Sequence, residues 1–190
     1  MPILKDIAQV IRVHEQGNTS LVAVMLGRRL GQFRVHIKGG RRWPKKGFEG
    51  GFDLLTRGEI LVYPRPNEGL WVFKEWDEHT HPHLGRSLGL LRAASYLCEL
   101  SEALTRHTAG SVRDEDDDES SSALYDALAA AADTLESGAL PGFVLLIFTL
   151  TALEAEGLML PLDVCSVCGR DLLNAAKTAR PVNGRNTTPL

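Results

Sequence analysis

Residues 31–46 read Gly-Gln-Phe-Arg-Val-His-Ile-Lys-Gly-Gly-Arg-Arg-Trp-Pro-Lys-Lys, and the spacing of their cations suits a polyanion. Phe33, Val35 and Ile37 alternate with Gln32, Arg34, His36 and Lys38. This period of two predicts a half-buried strand, apolar toward the core and cationic toward water. Gly39-Gly40 breaks the strand, and Pro44 prevents an early return to a ladder. Arg41, Arg42, Lys45 and Lys46 surround Trp43. Guanidinium and ammonium groups neutralise phosphates, and an indole offers a stacking face to an unpaired base. Arg28 and Arg29, in the preceding turn, are further candidates for phosphate contact. The duller account is a solvated face with Trp43 packed on its own loop.

Cys165-Ser166-Val167-Cys168-Gly169 has the shape of one zinc knuckle. Two thiolates three positions apart can face one tetrahedral ion, and the glycine relieves crowding at the sulfurs. A structural site needs four ligands, however, and neither Cys nor His follows Cys168. A redox pair or an idle thiol pair competes with zinc. His79, His81 and His83 alternate, so an extended segment places all three on one side. They could bind a metal; a polar hinge explains them as well. Asp114 to Glu119 is a run of six acids, read as a solvated loop between helices. Cys98 falls on the apolar side of its helix and is expected in the core. The chain has no Gly-x-x-x-x-Gly-Lys loop, Gly-x-Gly or His-Glu-x-x-His, so no enzyme class has a candidate site and a non-catalytic role is expected.

Five short strands should position the basic stretch: Ile7–Val13, Leu21–Leu26, the alternating run from Gly31, Glu59–Tyr63 and Leu70–Trp76. With Gly-rich corners they suit a small closed barrel, OB-fold or SH3-like, which periodicity does not separate. Asp77–His83 is expected as a polar linker. Leu90, Ala94, Leu97, Ser101 and Leu104 then recur at helical spacing within Ser87–Leu104. Leu124, Leu128, Ala131 and Leu135 repeat it, with a serine among residues 120–122 as N-cap. A third helix, Phe143–Glu156 with Pro141 in its first turn, is apolar nearly all round and so expected at the buried centre of a helical domain. From Asn174 the sequence reads as a disordered tail.

The net charge of −3 conceals an asymmetry. Residues 1–76 hold 13 Lys+Arg against 7 Asp+Glu, and residues 77–190 hold 8 against 17. A basic first part points to a polyanionic partner. The N-terminus lacks the features of a secretion signal, and the apolar run Gly142–Leu153 is short of the roughly 20 residues a membrane span needs. A cytoplasmic protein is expected.

The order and spacing of several stretches resemble the RecO family of bacterial DNA-repair recombination mediators. These are Ile7-Ala-Gln-Val-Ile-Arg-Val-His-Glu-Gln-Gly, Leu30-Gly-Gln-Phe-Arg-Val-His-Ile-Lys-Gly-Gly-Arg-Arg, Leu70-Trp-Val-Phe-Lys-Glu-Trp, Leu91-Arg-Ala-Ala-Ser-Tyr-Leu-Cys-Glu-Leu and Cys165-Ser-Val-Cys-Gly-Arg-Asp-Leu. The resemblance implies an α+β protein: a five-stranded OB-fold barrel over residues 1–78, an all-α helical domain over 79–173, and the tail 174–190. It implies binding of single- and double-stranded DNA, annealing of complementary strands, and loading of RecA together with RecR. It further implies contact with the acidic tail of single-strand binding protein and a nucleoid-associated location. Lys38, Arg41 and Arg42 fall on the family's basic segment, and Cys165 and Cys168 on its first zinc-binding pair. The second pair has no counterpart here, and the family's final helical portion is expected to be truncated or replaced by the tail. The alternative function is a barrel that binds protein partners without DNA activity.

Overall fold

The computed structural model describes residues 3–42, 51–65, 69–106, 118–159, 163–165 and 167–171, with the backbone alone for residues 42 and 118–121. Five strands close a barrel: β1 (Leu4–Gln16), β2 (Ser20–Gly27), β3 (Gly31–Ile37), β4 (Arg57–Tyr63) and β5 (Trp71–Thr80). Their order is β1-β2-β3-β5-β4, with β4 pairing back onto β1. Among the described residues every strand of the barrel has a neighbour on both sides. The β3–β5 pairing is parallel, Val35 opposite Trp71 and His36 opposite Val72, while the other pairs are antiparallel. That parallel closure selects the OB-fold over an all-antiparallel SH3-like barrel.

Alternation decides what fills the barrel. Ala8, Val10, Ala23, Met25, Phe33, Val35, Ile60 and Trp71 point inward and are wholly buried, with the Phe33 and Trp71 rings stacked 4.9 Å apart. A bulge interrupts the β1–β2 register between Val10 and Arg12. An extra residue in one strand turns two consecutive side chains to the same side. Ile11 and Arg12 therefore both face out, and Ile11 joins Val24 and Leu26 in a second core, against the helices.

Three helices complete that core: α1 (Leu88–Thr105), α2 (Asp118–Glu136) and α3 (Pro141–Ala155). The Ser87 hydroxyl accepts the Leu90 N–H at 3.1 Å, capping α1, and Pro141 occupies the first turn of α3. Ala93, Ala94, Leu97 and Cys98 of α1 pack with Leu124, Leu128 and Leu135 of α2 and Val144 and Phe148 of α3. Gln32 of β3 and Thr105 of α1 meet in a buried hydrogen bond of 2.7 Å. Met1–Gly157 forms one compact unit and Leu158–Leu190 a second. The expected boundary at residue 78 falls within β5, inside the first unit.

Three expectations need correcting. The polar run 77–83 is strand as far as Thr80, because β5 continues its pairing with β4 down to Arg57. Helix α2 starts at Asp118, ahead of the serines expected to cap it, consistent with the favourable placing of acids in a helix's first turn. And α3 is not a buried centre: Val144, Phe148 and Ala152 are covered, but Phe143, Leu146 and Ile147 are 64%, 56% and 48% exposed. Cys98 is in the core as expected. The rest of the acid run, 114–117, and the tail lie outside the described residues. No helix among the described residues is long and apolar enough to cross a membrane.

Candidate nucleic-acid interface

On β3 the outward side chains are Arg34, His36 and Lys38, the last just past the strand end. Arg34 and Lys38 are exposed, and neither makes an ion pair with any described residue. Register limits this face: Arg34 lies opposite Val24, which is buried against the helices, whereas His36 lies opposite Val22, opposite His14. On the other side His36 adjoins Val72 of β5, and exposed Lys74 stands two residues further along that strand.

At the end of β3 the chain turns through Gly39, whose φ of +74° favours glycine, into a single 3-10 turn, Gly40–Arg42. The Arg41 N–H donates to the Thr19 carbonyl at 3.1 Å, latching this turn onto the β1–β2 hairpin. Its guanidinium lies 3.1 Å from Glu15, both side chains being substantially exposed. The Arg42 side chain and Trp43, Lys45 and Lys46 lie outside the described residues. Phe52 is buried against the rings of Phe73 and Trp76.

Arg28 and Arg29 lie at the other end of β3, roughly 20 Å away at about 3.3 Å per residue. Asp6 organises their turn, its carboxylate accepting the N–H groups of Ile7, Arg29 and Leu30 at 2.8, 3.0 and 2.9 Å. Burial nevertheless pushes the Asp6 carboxyl above the usual carboxylate range, outweighing those donors and the Arg29 charge. Arg28 contacts Asp126 of α2 at 3.0 Å, and Arg29 donates to the Lys5 carbonyl at 2.9 Å. The structure therefore separates the candidates into two groups. Lys38 and Arg41 stand at one end of the barrel wall with Arg34 midway along β3, and Arg28 and Arg29 stand at the other end, where Arg28 meets α2.

Lys74 did not stand out as a candidate in the sequence, although the outward alternation of Val72 and Lys74 was the available signal. Arg12, turned toward the helices by the bulge, is held by Glu102 at 2.7 Å and belongs to the packing rather than to this face.

The three histidines do not converge on one point, although the His81 and His83 rings meet edge to face at 6.4 Å. His79 lies 4.0 Å from Asp77, His81 sits between Asp53 and Glu78 at 3.4 Å each, and His83 lies 3.4 Å from Glu136. Opposite ring nitrogens of His81 face its two carboxylates, so one ion cannot take all three. Among the described residues no three His, Cys, Asp or Glu side chains are placed to hold a metal.

In the second unit, Val164 pairs with Asp171 in an antiparallel bridge that closes a tight loop around the cysteine pair. The Cys165 N–H donates to the Arg170 carbonyl and the Gly169 N–H to the Cys165 carbonyl, both at 2.8 Å, with Gly169 at φ +66°. Hydrogen bonding from the backbone N–H groups of Cys168 and Val167, then from the Cys168 thiol, lowers the pKa of Cys165. This favours the thiolate that zinc requires. Among the described residues the fit to zinc extends to these two donors.

The family described as Recombination protein O C terminal matches residues 86–186, just over half of the chain. A DNA repair protein RecO from Rhodopirellula baltica is 29% identical over 173 residues, covering 90% of this chain. The chain spans 60% of the length of that relative.

Proposed function

The chain belongs to the RecO family, and from that premise we propose that it binds DNA along the outer face of β3 and serves DNA repair as a non-catalytic recombination mediator. The observation that carries this reading is the exposure of Arg34 and Lys38 without ion-pair partners among the described residues, beside the turn that leads to Trp43. A phosphate backbone lying along β3 would meet Arg34, Lys38 and Arg41; Arg42, Trp43, Lys45 and Lys46 follow these in the sequence. The Arg41–Glu15 pair is no obstacle, since exposed pairs contribute about 0–1 kcal/mol and phosphate can displace the carboxylate. Arg28 and Arg29 would serve a second stretch or a second strand. Screening phosphates on two complementary strands lowers the repulsion that slows their pairing, which is how such a surface would promote annealing and, with RecR, RecA loading.

The test is binding of a labelled single-stranded oligonucleotide over a range of salt. In the Arg34→Glu/Lys38→Glu variant, affinity should fall at least about tenfold at low salt, and the log–log salt slope should shrink by about 2. Unchanged affinity and slope would remove β3 from the interface.

A second observation supports a protein partner as well. A mostly apolar groove between α2 and α3, lined by Ala127, Ala131, Phe143, Ile147 and Phe148, would take the apolar side chains of the single-strand binding protein tail, whose acids would need cations from outside the groove. Ile147→Glu should weaken capture of that peptide without altering oligonucleotide binding.

A further inference from the structure

The outward row of β3 runs Arg34, His36 and, just past the strand end, Lys38, about 6.6 Å from one to the next at about 3.3 Å per residue. The two cations that carry the proposed interface therefore flank a half-buried imidazole. A polyanion that touches both Arg34 and Lys38 has to lie over His36.

The strands beside His36 bring it little negative charge. β2 has no charged residue; Val22 lies opposite His36, with His14 beyond it on β1. Glu15, next to His14, is held by Arg41 at 3.1 Å. β5 sets Val72 opposite His36, with Lys74 two residues further along and Glu75 three. α1 meets β3 at Gln32, through Thr105, four positions before His36. His79, His81 and His83 each lie within 4.0 Å of a carboxylate, whereas His36 has none so close among the described residues.

Histidine is the side chain whose charge changes between about pH 5 and 8. A neutral imidazole offers phosphate one N–H, whereas the imidazolium offers two and a full charge. Phosphate laid along the row supplies an opposite charge, which favours the imidazolium. We propose that His36 is a phosphate contact of the β3 row and makes that contact as the imidazolium, so that binding of a single strand draws one proton from solvent. The role of His36 rests on the DNA reading of β3 given above and adds to it a dependence on pH. A proton taken up on binding makes affinity rise as pH falls, by at most about tenfold per unit. Arg34 and Lys38, charged throughout that range, supply the part of the binding that pH does not alter.

The test is binding of the full chain to oligothymidylate, whose own charge is constant between pH 6 and 8, over a range of salt at both ends of that interval. Affinity should be at least about threefold higher at pH 6. The log–log salt slope should be steeper there by about 0.7, the increment for one more phosphate neutralised on a single strand. His36→Gln should remove both changes, and His36→Arg should give the steeper slope at both pH values. Circular dichroism establishes that each variant is folded, and either one decides alone. Salt-sensitive binding that is equal at the two pH values, or a pH response that persists in either variant, overturns the role of His36 and leaves the DNA reading standing. Absence of salt-sensitive binding at both pH values overturns that reading and the role of His36 with it.

Discussion

The Arg12 guanidinium lies 2.7 Å from a carboxylate oxygen of Glu102, a residue 6% exposed, and so ties β1 to α1. Among the described residues that oxygen has no aligned hydrogen-bond donor, so the contact is one of charge rather than of a directed bond. Arg12 reaches Glu102 because the bulge at Ile11 sends two successive β1 side chains toward the helices. The same irregularity that builds the second core thus also places a cation over a buried acid.

Removing that cation should be costly. Arg12→Ala leaves Glu102 largely buried without its counter-charge, and about 2–3 kcal/mol of stability should be lost in urea unfolding, less than for a wholly buried pair because Arg12 is partly solvated. Glu102→Gln, which removes the buried charge itself, should cost less. Equal losses for the two would mean that packing, not charge, sets the effect.

Gly58 in β4 leaves no room for a side chain. A Cβ there would stand 2.2 Å from the Asp77 backbone oxygen and 2.9 Å from the Trp76 ring. Gly58→Ala should therefore destabilise by about 1–3 kcal/mol or more, since the obstruction is backbone of the paired strand. An unchanged urea midpoint would show that β5 can shift away.

The two sides of α3 should respond differently. Phe148→Ala removes a ring that is 2% exposed and should cost about 3–5 kcal/mol. Ile147→Ala, on the exposed side, should stay within about 0.5 kcal/mol. A comparable loss at both positions would mean that α3 is covered on every side in solution.

Asp6 should give stability an unusual pH dependence. Its carboxyl titrates above the ordinary value in the folded protein, because burial outweighs its hydrogen bonds. The fold therefore favours the neutral acid. Its contribution is full below the unfolded-state pKa of about 3.9 and is lost as pH rises through the higher folded value. The stability of the native protein relative to Asp6→Asn, measured by urea unfolding from pH 3.5 to 7, should decline with rising pH. A relative stability that grows instead would mean that the three N–H donors, not burial, dominate.

The strands, the helices and the basic run were legible in the sequence because each is written locally, in a period of two or of 3.6. Phe33, Val35 and Ile37 announced β3 and its wet cationic side, and Ser87 and Pro141 marked where helices begin. Ordered resemblance added the OB-fold and the family. Tertiary structure decided what no local period records. The parallel pairing of β3 with β5 sets which cations share a wall, and the β2–β3 turn carries Arg28 and Arg29 to the opposite end from Lys38 and Arg41. An apolar helix such as α3 reports in its sequence only that both sides avoid water, whereas burial depends on whether a neighbour arrives. Carboxylates distant in sequence, Glu15, Asp126 and Glu102, settle which arginines are paired within the molecule and which, like Arg34, are left facing solvent. Charge pairing is a through-space property, and only the folded chain sets those distances.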